Sequence, residues 1–236
     1  MKTIIKKELA YYFNSPMGYI VLALFAVFSN VLFIKDVFVS QAASMKPFFL
    51  LSSWIMTVFV AALSMRSFAQ ERQQNTLETL LTLPILERDL VLGKWLAILI
   101  VVAVGLMLTM GFPIALLLMI QGYWGFVPEV LVGYLGLMVY GGLLAAIGVA
   151  YSAVSRNQIV AFLLAAITSF ALYAFSSDFL APFLPRNITD LIVPFTPVYH
   201  MDSFIKGIID LRAILYFGSA TGGLLWFVLQ VVKKRA

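Results

Sequence analysis

Long apolar stretches, separated by shorter polar segments, alternate along the whole chain. A helix that crosses a membrane needs about 20 apolar residues, and six stretches meet or approach that length. They cover residues 17–34, 48–68, 95–120, 130–152, 159–175 and 214–232. The pattern therefore predicts an all-α membrane protein with six transmembrane helices, forming a single domain over residues 1–236.

Prolines indicate where the apolar pattern bends. Pro113 lies inside the third stretch and is predicted to kink it, because proline lacks a backbone N–H and clashes with the preceding turn. Residues 176–212 combine four prolines with many apolar side chains. This segment is predicted to form short re-entrant helices on the external side, packed on the bundle. The alternative is a broken seventh span, which would place the basic C-terminus outside.

Composition identifies lipid as the solvent of this chain. The sequence is 62% hydrophobic and 11% charged, whereas a soluble domain is about half apolar and about one-quarter charged. It contains no cysteine, which excludes disulfides and thiolate metal sites. The net charge is +5, but the basic residues flank apolar spans, so they indicate topology and headgroup contact rather than a nucleic-acid partner.

The distribution of Lys and Arg predicts the orientation. With the N-terminus inside, eleven of the 16 basic residues fall in inside segments and five in outside segments. Inside segments of multi-pass proteins carry the excess of Lys and Arg. Six spans then place both termini in the cytoplasm. Residues 1–15 carry lysines on one helical face and apolar side chains on the other, which predicts an amphipathic helix lying on the cytoplasmic membrane surface.

Small residues recur at the spacing of one helix face in two spans. Gly218 and Gly222 form a G-x-x-x-G pattern in the last span. In the fourth span the same spacing is repeated by two pairs, Gly142 with Ala146 and Gly148 with Ser152. Such residues let helices approach closely. They indicate either packing within one subunit or an interface between subunits.

The chain carries no recognisable catalytic chemistry. The predicted spans have no ionisable residue in their middle, which argues against an ion-driven pump or an intramembrane protease. No H-E-x-x-H, G-x-S-x-G or phosphate-binding G-x-x-x-x-G-K-[ST] pattern occurs. We therefore predict a protein that is not an enzyme, binds no cofactor or metal itself, and depends on a partner for any nucleotide hydrolysis.

The cytoplasmic connection 67–94 holds the most informative pattern. Asn75 followed by Glu78 is a variant capping box that starts a helix, and Pro84 ends it about two turns later. Its leucines at 77, 80 and 81 share one face. A helix this short cannot span a membrane, so its apolar face is predicted to bind a partner protein or the membrane surface.

This connection resembles that of a known family. The motif E-R-x-x-x-T-L-E-x-L-L-x-x-P at residues 71–84, followed by Leu92-Gly93-Lys94, is similar to the first cytoplasmic loop of ABC-transporter permeases of the type-2 exporter class. Residues 6–13 resemble that family's N-terminal elbow helix, and residues 204–212 resemble the segment before its last span. These features resemble most the branch of gliding-motility and nitrous-oxide-reductase-maturation permeases. One departure is Asn75, where the family usually has Gly; because Asn tolerates left-handed geometry, the turn is expected to persist.

The resemblance implies a function and partners. The chain would be the permease subunit of an ATP-driven exporter in the bacterial inner membrane, paired with a second permease subunit, as a homo- or heterodimer, and with two ATPase subunits that bind ATP and Mg. An envelope accessory protein would be a further partner. The alternative is a scaffold or anchor of a cell-envelope machine. Carried over by position, the coupling helix that contacts the ATPase would comprise Glu71, Thr76, Leu77, Glu78, Leu80, Leu81 and Pro84.

A substrate path is expected between the two permease subunits. If the second and fifth spans line it, as in the family, its candidate residues are Ser52, Ser53, Trp54, Thr57 and Thr168. The alternative for each hydroxyl is an ordinary hydrogen bond within or between helices. The mostly apolar lining favours a lipid, a hydrophobic drug or a peptide over a sugar or an ion.

Overall fold

The computed structural model describes residues 1–40, 45–76, 86–111, 113–114, 126–175 and 193–234, and all regular structure in that part of the chain is helical. One 3₁₀ turn, Val193–Phe195, precedes α8. The α-helices are α1 (Lys2–Asn14), α2 (Pro16–Ser40), α3 (Lys46–Ser64), α4 (Ala69–Gln73), α5 (Glu87–Thr109), α6 (Phe126–Val154), α7 (Gln158–Ala174), α8 (Pro197–Ile205) and α9 (Leu211–Lys233).

Several helices have the length and apolar character of membrane spans. Four qualify among the described residues, namely Lys46–Gln73, Glu87–Thr109, Val127–Val154 and Leu211–Lys233. α1 and the start of α2 meet at a 76° bend and make a fifth if they are counted together. α7 is apolar but has only 17 residues. The chain is thus an all-helical, multi-pass membrane protein, while the count of six spans stays a prediction.

The boundaries of α5 differ from the predicted ones. The connection 67–94 was expected to be non-spanning, but α5 already begins at Glu87. Glu87 and Asp89 lie in its first turn, where the positive end of the helix dipole favours acidic side chains. These charges therefore mark the start of a helix rather than a loop. At the other end, α5 stops at Thr109. In a continuing helix the carbonyl of Thr109 would accept a hydrogen bond from the N–H of residue 113, but Pro113 has no N–H.

α6 is the central helix of the bundle and packs against α3, α5, α7, α8 and α9. Every residue from 141 to 150 in it is buried, and several are Gly or Ala, which lets neighbouring helices approach. A Cβ added to Gly148 would lie 1.7 Å from Ser64 Oγ on α3, and one added to Gly136 would lie 2.6 Å from Phe204 Cβ on α8. Close packing within one subunit therefore explains the small residues of α6.

The small residues of α9 do not serve the same purpose. A Cβ added to Gly218 or Gly222 would meet no described atom within 4 Å. The G-x-x-x-G pattern therefore faces away from this subunit's own described helices. Each of the two interpretations of the small-residue pattern therefore fits one helix. The small residues of α6 serve packing within the subunit, and those of α9 form an outward-facing surface.

α8 lies at the end of the bundle where α6 begins. Its buried residues are Pro197, Met201, Phe204 and Ile205, and it packs on α6, α7 and α9. At about 1.5 Å per residue, nine residues are too short to cross a bilayer core of about 30 Å. A short helix packed on the bundle was predicted here and is confirmed for residues 197–205; residues 176–192 lie outside the described part.

The contrast between the two glycine surfaces is testable. Gly148→Val should force α3 and α6 apart and lower the free energy of unfolding by roughly 1–3 kcal/mol, the usual cost of overpacking. Gly218→Val, an identical change at an open position of α9, should stay within about 0.5 kcal/mol of wild type. Thermal unfolding in detergent measures both. Equal midpoints for the two variants would contradict the assignment of close packing to Gly148 and of open space to Gly218.

Candidate functional site

Four helices converge at the end of the bundle opposite to α8, here called the Lys94 end. It comprises α1, α4, the start of α5 and the last turn of α6. At its centre, Lys94 lies in the second turn of α5 with a side chain that is only 2% exposed. A buried ammonium is costly unless it is paired and hydrogen-bonded, so its surroundings define the site.

Lys94 binds three acceptors from three different parts of the chain. Its Nζ lies 2.9 Å from Glu8 Oε1 on α1 and 2.8 Å from Glu71 Oε1 on α4. It also donates to the carbonyl oxygen of Ser67, in the turn before α4. An ammonium has three N–H donors, and each has an acceptor here. Lys94 therefore joins α1, α4 and α5 through one charged group.

Three further contacts attach α1 to this end of the bundle. A Cβ added to Gly93 would lie 3.0 Å from Ile4 Cγ2, so the absence of a side chain lets α1 lie directly on α5. The Arg66 guanidinium carbon lies 3.1 Å from the centre of the Tyr11 ring, a cation–π geometry. The Tyr12 hydroxyl donates to Leu63 O over 2.7 Å. α1 is thus bound to α3 as well as to α5.

α4 and α6 cap each other's ends. Ser152 Oγ on α6 accepts from the N–H groups of Phe68 and Ala69, each at 3.0 Å, which lack partners inside α4. In return, Arg72 Nη1 on α4 donates toward the carbonyls at the end of α6, at 3.1 Å from Ala153 O. A cation at a helix C-terminus also interacts favourably with the helix dipole. Each helix therefore satisfies backbone groups of the other.

The chain leaves α4 through a left-handed residue. Asn75 has φ 55°, and the N–H of Thr76 donates to Glu71 O over 2.9 Å. This is the hydrogen bond of a Schellman C-cap. The left-handed geometry expected of Asn75 is confirmed, but it ends α4, and it is not the extended conformation usual for an N-cap.

The contacts of this site hold helix ends and a buried charge in place. A cavity of about 290 Å³ lies beside Lys94, lined among others by Lys7, Arg66, Glu8 and Glu71, so its charges largely cancel. In the described part of the chain, no three His, Cys, Asp or Glu side chains come together as a metal site. The arrangement fixes the direction in which the segment after Thr76 leaves the bundle.

Comparison with known proteins adds the family. The model of the ABC-2 family transporter protein family matches residues 2–209. The chain belongs to this family. No curated protein sequence matches it.

Family membership makes the chain the membrane permease of an ABC transporter. Such permeases are membrane components without catalytic activity of their own, and membership implies an ABC ATPase as partner and a dimeric arrangement. The narrower resemblance to gliding-motility and nitrous-oxide-reductase-maturation permeases stays a prediction.

The structure describes only two of the residues predicted to couple the ABC-2 permease to an ATPase. Glu71 has an ionic partner in its own chain, Lys94, and its side chain is only 16% exposed. Its pairing with the ATPase stays a prediction. Thr76 is exposed and lies at the exit from α4. The other five, Leu77, Glu78, Leu80, Leu81 and Pro84, lie outside the described residues.

The predicted path residues divide into buried and outward-facing ones. Ser53 and Thr57 are buried and donate to carbonyls of their own helix, Phe49 O and Trp54 O, each at 2.7 Å. Ser52 is also buried. Trp54 is 45% exposed, and the Thr168 hydroxyl shares a hydrogen bond with the Tyr151 hydroxyl on α6. A role for any of them in transport stays a prediction.

Sequence reasoning missed most of the residues that build the Lys94 end. Lys94 was noted only as part of a motif, and Glu8 only as part of the amphipathic helix. Ser152 was noted only as one of the small residues of the fourth span. One signal was present: Lys94 follows Glu87 by seven residues, two helical turns, and enters an apolar stretch. A lysine that enters an apolar stretch is costly to bury unless a carboxylate pairs with it.

Replacing the central charge should loosen the whole Lys94 end. Lys94→Met leaves two carboxylates without their cation and should lower the free energy of unfolding by roughly 3–5 kcal/mol, the cost of breaking a buried ion pair. Neutralising Glu8 and Glu71 to Gln in the same protein should recover much of this loss. Chemical or thermal unfolding in detergent provides the measurement. Arg88→Met, an exposed change on the same helix, is the control; if it costs as much, the proposed centre is wrong.

Removing the α6 hydroxyl should act locally on α4. Ser152→Ala leaves two N–H groups without an acceptor and should cost roughly 1–2 kcal/mol. Hydrogen exchange of the amides in residues 66–76 should then quicken about five- to thirtyfold. Ser155→Ala is the control, because it keeps the backbone carbonyl that faces Arg72. Its amides in residues 66–76 should exchange at the wild-type rate. Unchanged exchange in the Ser152 variant would refute the capping role.

Proposed function

We propose that this ABC-2 permease couples ATP hydrolysis by a separate ATPase subunit to export, and that residues 77–85 form its contact with the ATPase. One observation carries the proposal: both flanks of this segment are anchored to the spans. On one side the Lys94 and Ser152 contacts hold α4, and on the other the chain enters α5 directly at Glu87. A force applied to this segment would therefore act on the helices at its two ends, α4 and α5.

The contacts define how such a movement would reach the membrane. Displacing α4 acts on α6 through the hydrogen bonds of Ser152 and Arg72. It acts on α5 and α1 through Lys94 and its two carboxylates. Packed helices respond to such a displacement by shifting between discrete arrangements. The Lys94 end thus supplies a mechanical link between an ATPase and at least three helices of the bundle.

We infer that the Lys94 end faces the cytoplasm. Basic residues gather there, including Lys2 and Lys7 on α1, Arg156 after α6, and Lys233 and Lys234 at the end of α9. The excess of Lys and Arg on the inner side of membrane proteins gives this end its orientation. On this proposal both termini are cytoplasmic, α1 lies on the inner surface of the bacterial inner membrane, and six spans cross it.

The complex on this proposal contains two permease subunits and two ATPase subunits. ATP and Mg bind to the ATPase pair, and closure of that pair moves residues 77–85 of each permease. The permease halves then tilt about their shared interface and expose a substrate site between them to the other side. Trp54 on α3, which is 45% exposed in the single chain, is a candidate for that site.

The ATPase contact is tested by charging its apolar face. Leu77→Asp with Leu80→Asp should reduce co-purification of the P-loop ATPase by about tenfold or more, because buried apolar anchors dominate such interfaces. ATP turnover of the purified complex should fall in parallel. The measurement uses tagged permease isolated in mild detergent from its own host.

Thr79→Asp with Thr82→Asp places the same charges on the opposite face of the predicted helix and serves as the control. Unchanged assembly and turnover in the leucine variant would refute the proposal. A scaffold without transport of its own is the other possibility, and ATP-dependent transport by the complex in reconstituted vesicles distinguishes the two.

A further inference from the structure

A long groove runs along the outer surface of the bundle, over α6 and between α7 and α9. Its volume is about 750 Å³. Apolar side chains from all three helices form most of its lining, among them Leu143, Ile147, Leu164, Leu172, Leu224 and Phe227. Because α6, α7 and α9 are apolar helices of a membrane protein, this groove opens toward lipid.

The polar groups in the groove have partners inside the chain. The Tyr151 hydroxyl and Thr168 Oγ1 bond to each other over 2.8 Å. Ser219 Oγ donates to Tyr216 O over 3.0 Å, and the Tyr216 hydroxyl donates to Phe195 O over 2.6 Å. A polar ligand would find few further hydrogen-bond donors here to replace those it leaves in water. The lining therefore selects a hydrocarbon occupant.

The length of the groove matches one leaflet. Its α6 side extends from Leu143 to Val154 and its α9 side from Tyr216 to Phe227. Eleven helical steps correspond to about 16 Å, close to half of a hydrocarbon core of about 30 Å. An apolar helix from a second subunit would extend through both leaflets, whereas an acyl chain occupies one.

Basic residues surround the end of the groove that lies toward the Lys94 end. Arg156 follows Val154 by two residues, in the turn between α6 and α7. α9 continues beyond Phe227 to Lys233 and Lys234, about 9 Å further along its axis. All three cations are exposed, and among the described residues none takes part in an ion pair. All three lie beyond the last groove residue of their helix, toward the Lys94 end.

We propose that this groove binds an anionic phospholipid from the leaflet at the Lys94 end. One acyl chain lies along α6 between α7 and α9, and the phosphate lies near Arg156, Lys233 and Lys234. The apolar lining of the groove accommodates the acyl chain, and the basic residues at its end bind the headgroup, because anionic headgroups are attracted to cations at the membrane surface. The site does not depend on the contact with an ATPase.

Adjacent glycines of α9 provide a matched test of the acyl-chain site. Gly223 lines the groove, whereas Gly222 does not, and both have open space at the Cβ position. Dioleoylphosphatidylglycerol and dioleoylphosphatidylcholine are titrated into the detergent-purified full chain, and bound lipid is counted by native mass spectrometry. Gly223→Phe should reduce binding of both lipids about tenfold, and Gly222→Phe should bind like wild type. If Gly223→Phe does not fold, Ala220→Phe, at another lining position, replaces it.

The headgroup site is tested separately. Replacing Arg156, Lys233 and Lys234 by Gln should remove the preference for phosphatidylglycerol, by roughly fivefold per charge, while Lys6→Gln on α1 should preserve it. Glycerol 3-phosphate should not displace the lipid; displacement would identify a site for free phosphate and overturn the proposal. Wild-type lipid binding by folded Gly223→Phe would also overturn it. A change of oligomeric state in that variant, with lipid binding unaltered, would assign the groove to a second copy of the chain.

Discussion

The ammonium group of Lys94 organises the end of the bundle where α1, α4, α5 and α6 converge. A buried cation destabilises a protein unless oxygen atoms surround it, and no single helix can supply three of them at the required positions. The acceptors come instead from α1, from the turn after α3 and from α4. Once Lys94 lies in the second turn of α5, these segments must converge on it. The same pairing that stabilises the charge thus determines where α1 and α4 lie.

A second constraint comes from the ends of the helices. α4 has only five residues and could not persist alone, because a helix so short does not offset the cost of its nucleation. The free N–H groups at its start donate to Ser152 Oγ, and Arg72 donates to the free carbonyls at the end of α6. Reciprocal capping therefore makes α4 part of the α6 framework. A five-residue helix becomes a fixed support for the segment that follows.

The membrane explains the contrast between α6 and α9. In water, the apolar residues of α9 would be driven against the bundle, but in lipid there is no such force. α6 is held by close steric packing around its glycines, whereas α9 leaves Gly218, Gly222 and much of its surface unpacked. That difference creates the groove beside α7. A surface of this kind is a place for lipid rather than a defect of packing.

Apolar length and periodicity by themselves determined that this chain is a helical membrane protein, because those properties are local. The motif at residues 71–84 likewise indicated the family, and the residue type of Asn75 permits the left-handed conformation that it adopts. The tertiary structure alone decided that Glu71 turns inward, that Ser152 caps α4, and that Gly218 faces outward. Lys94 lies 86 positions from Glu8 and 23 from Glu71. Pairing over such separations depends on how the spans pack, and no local pattern of residues encodes it.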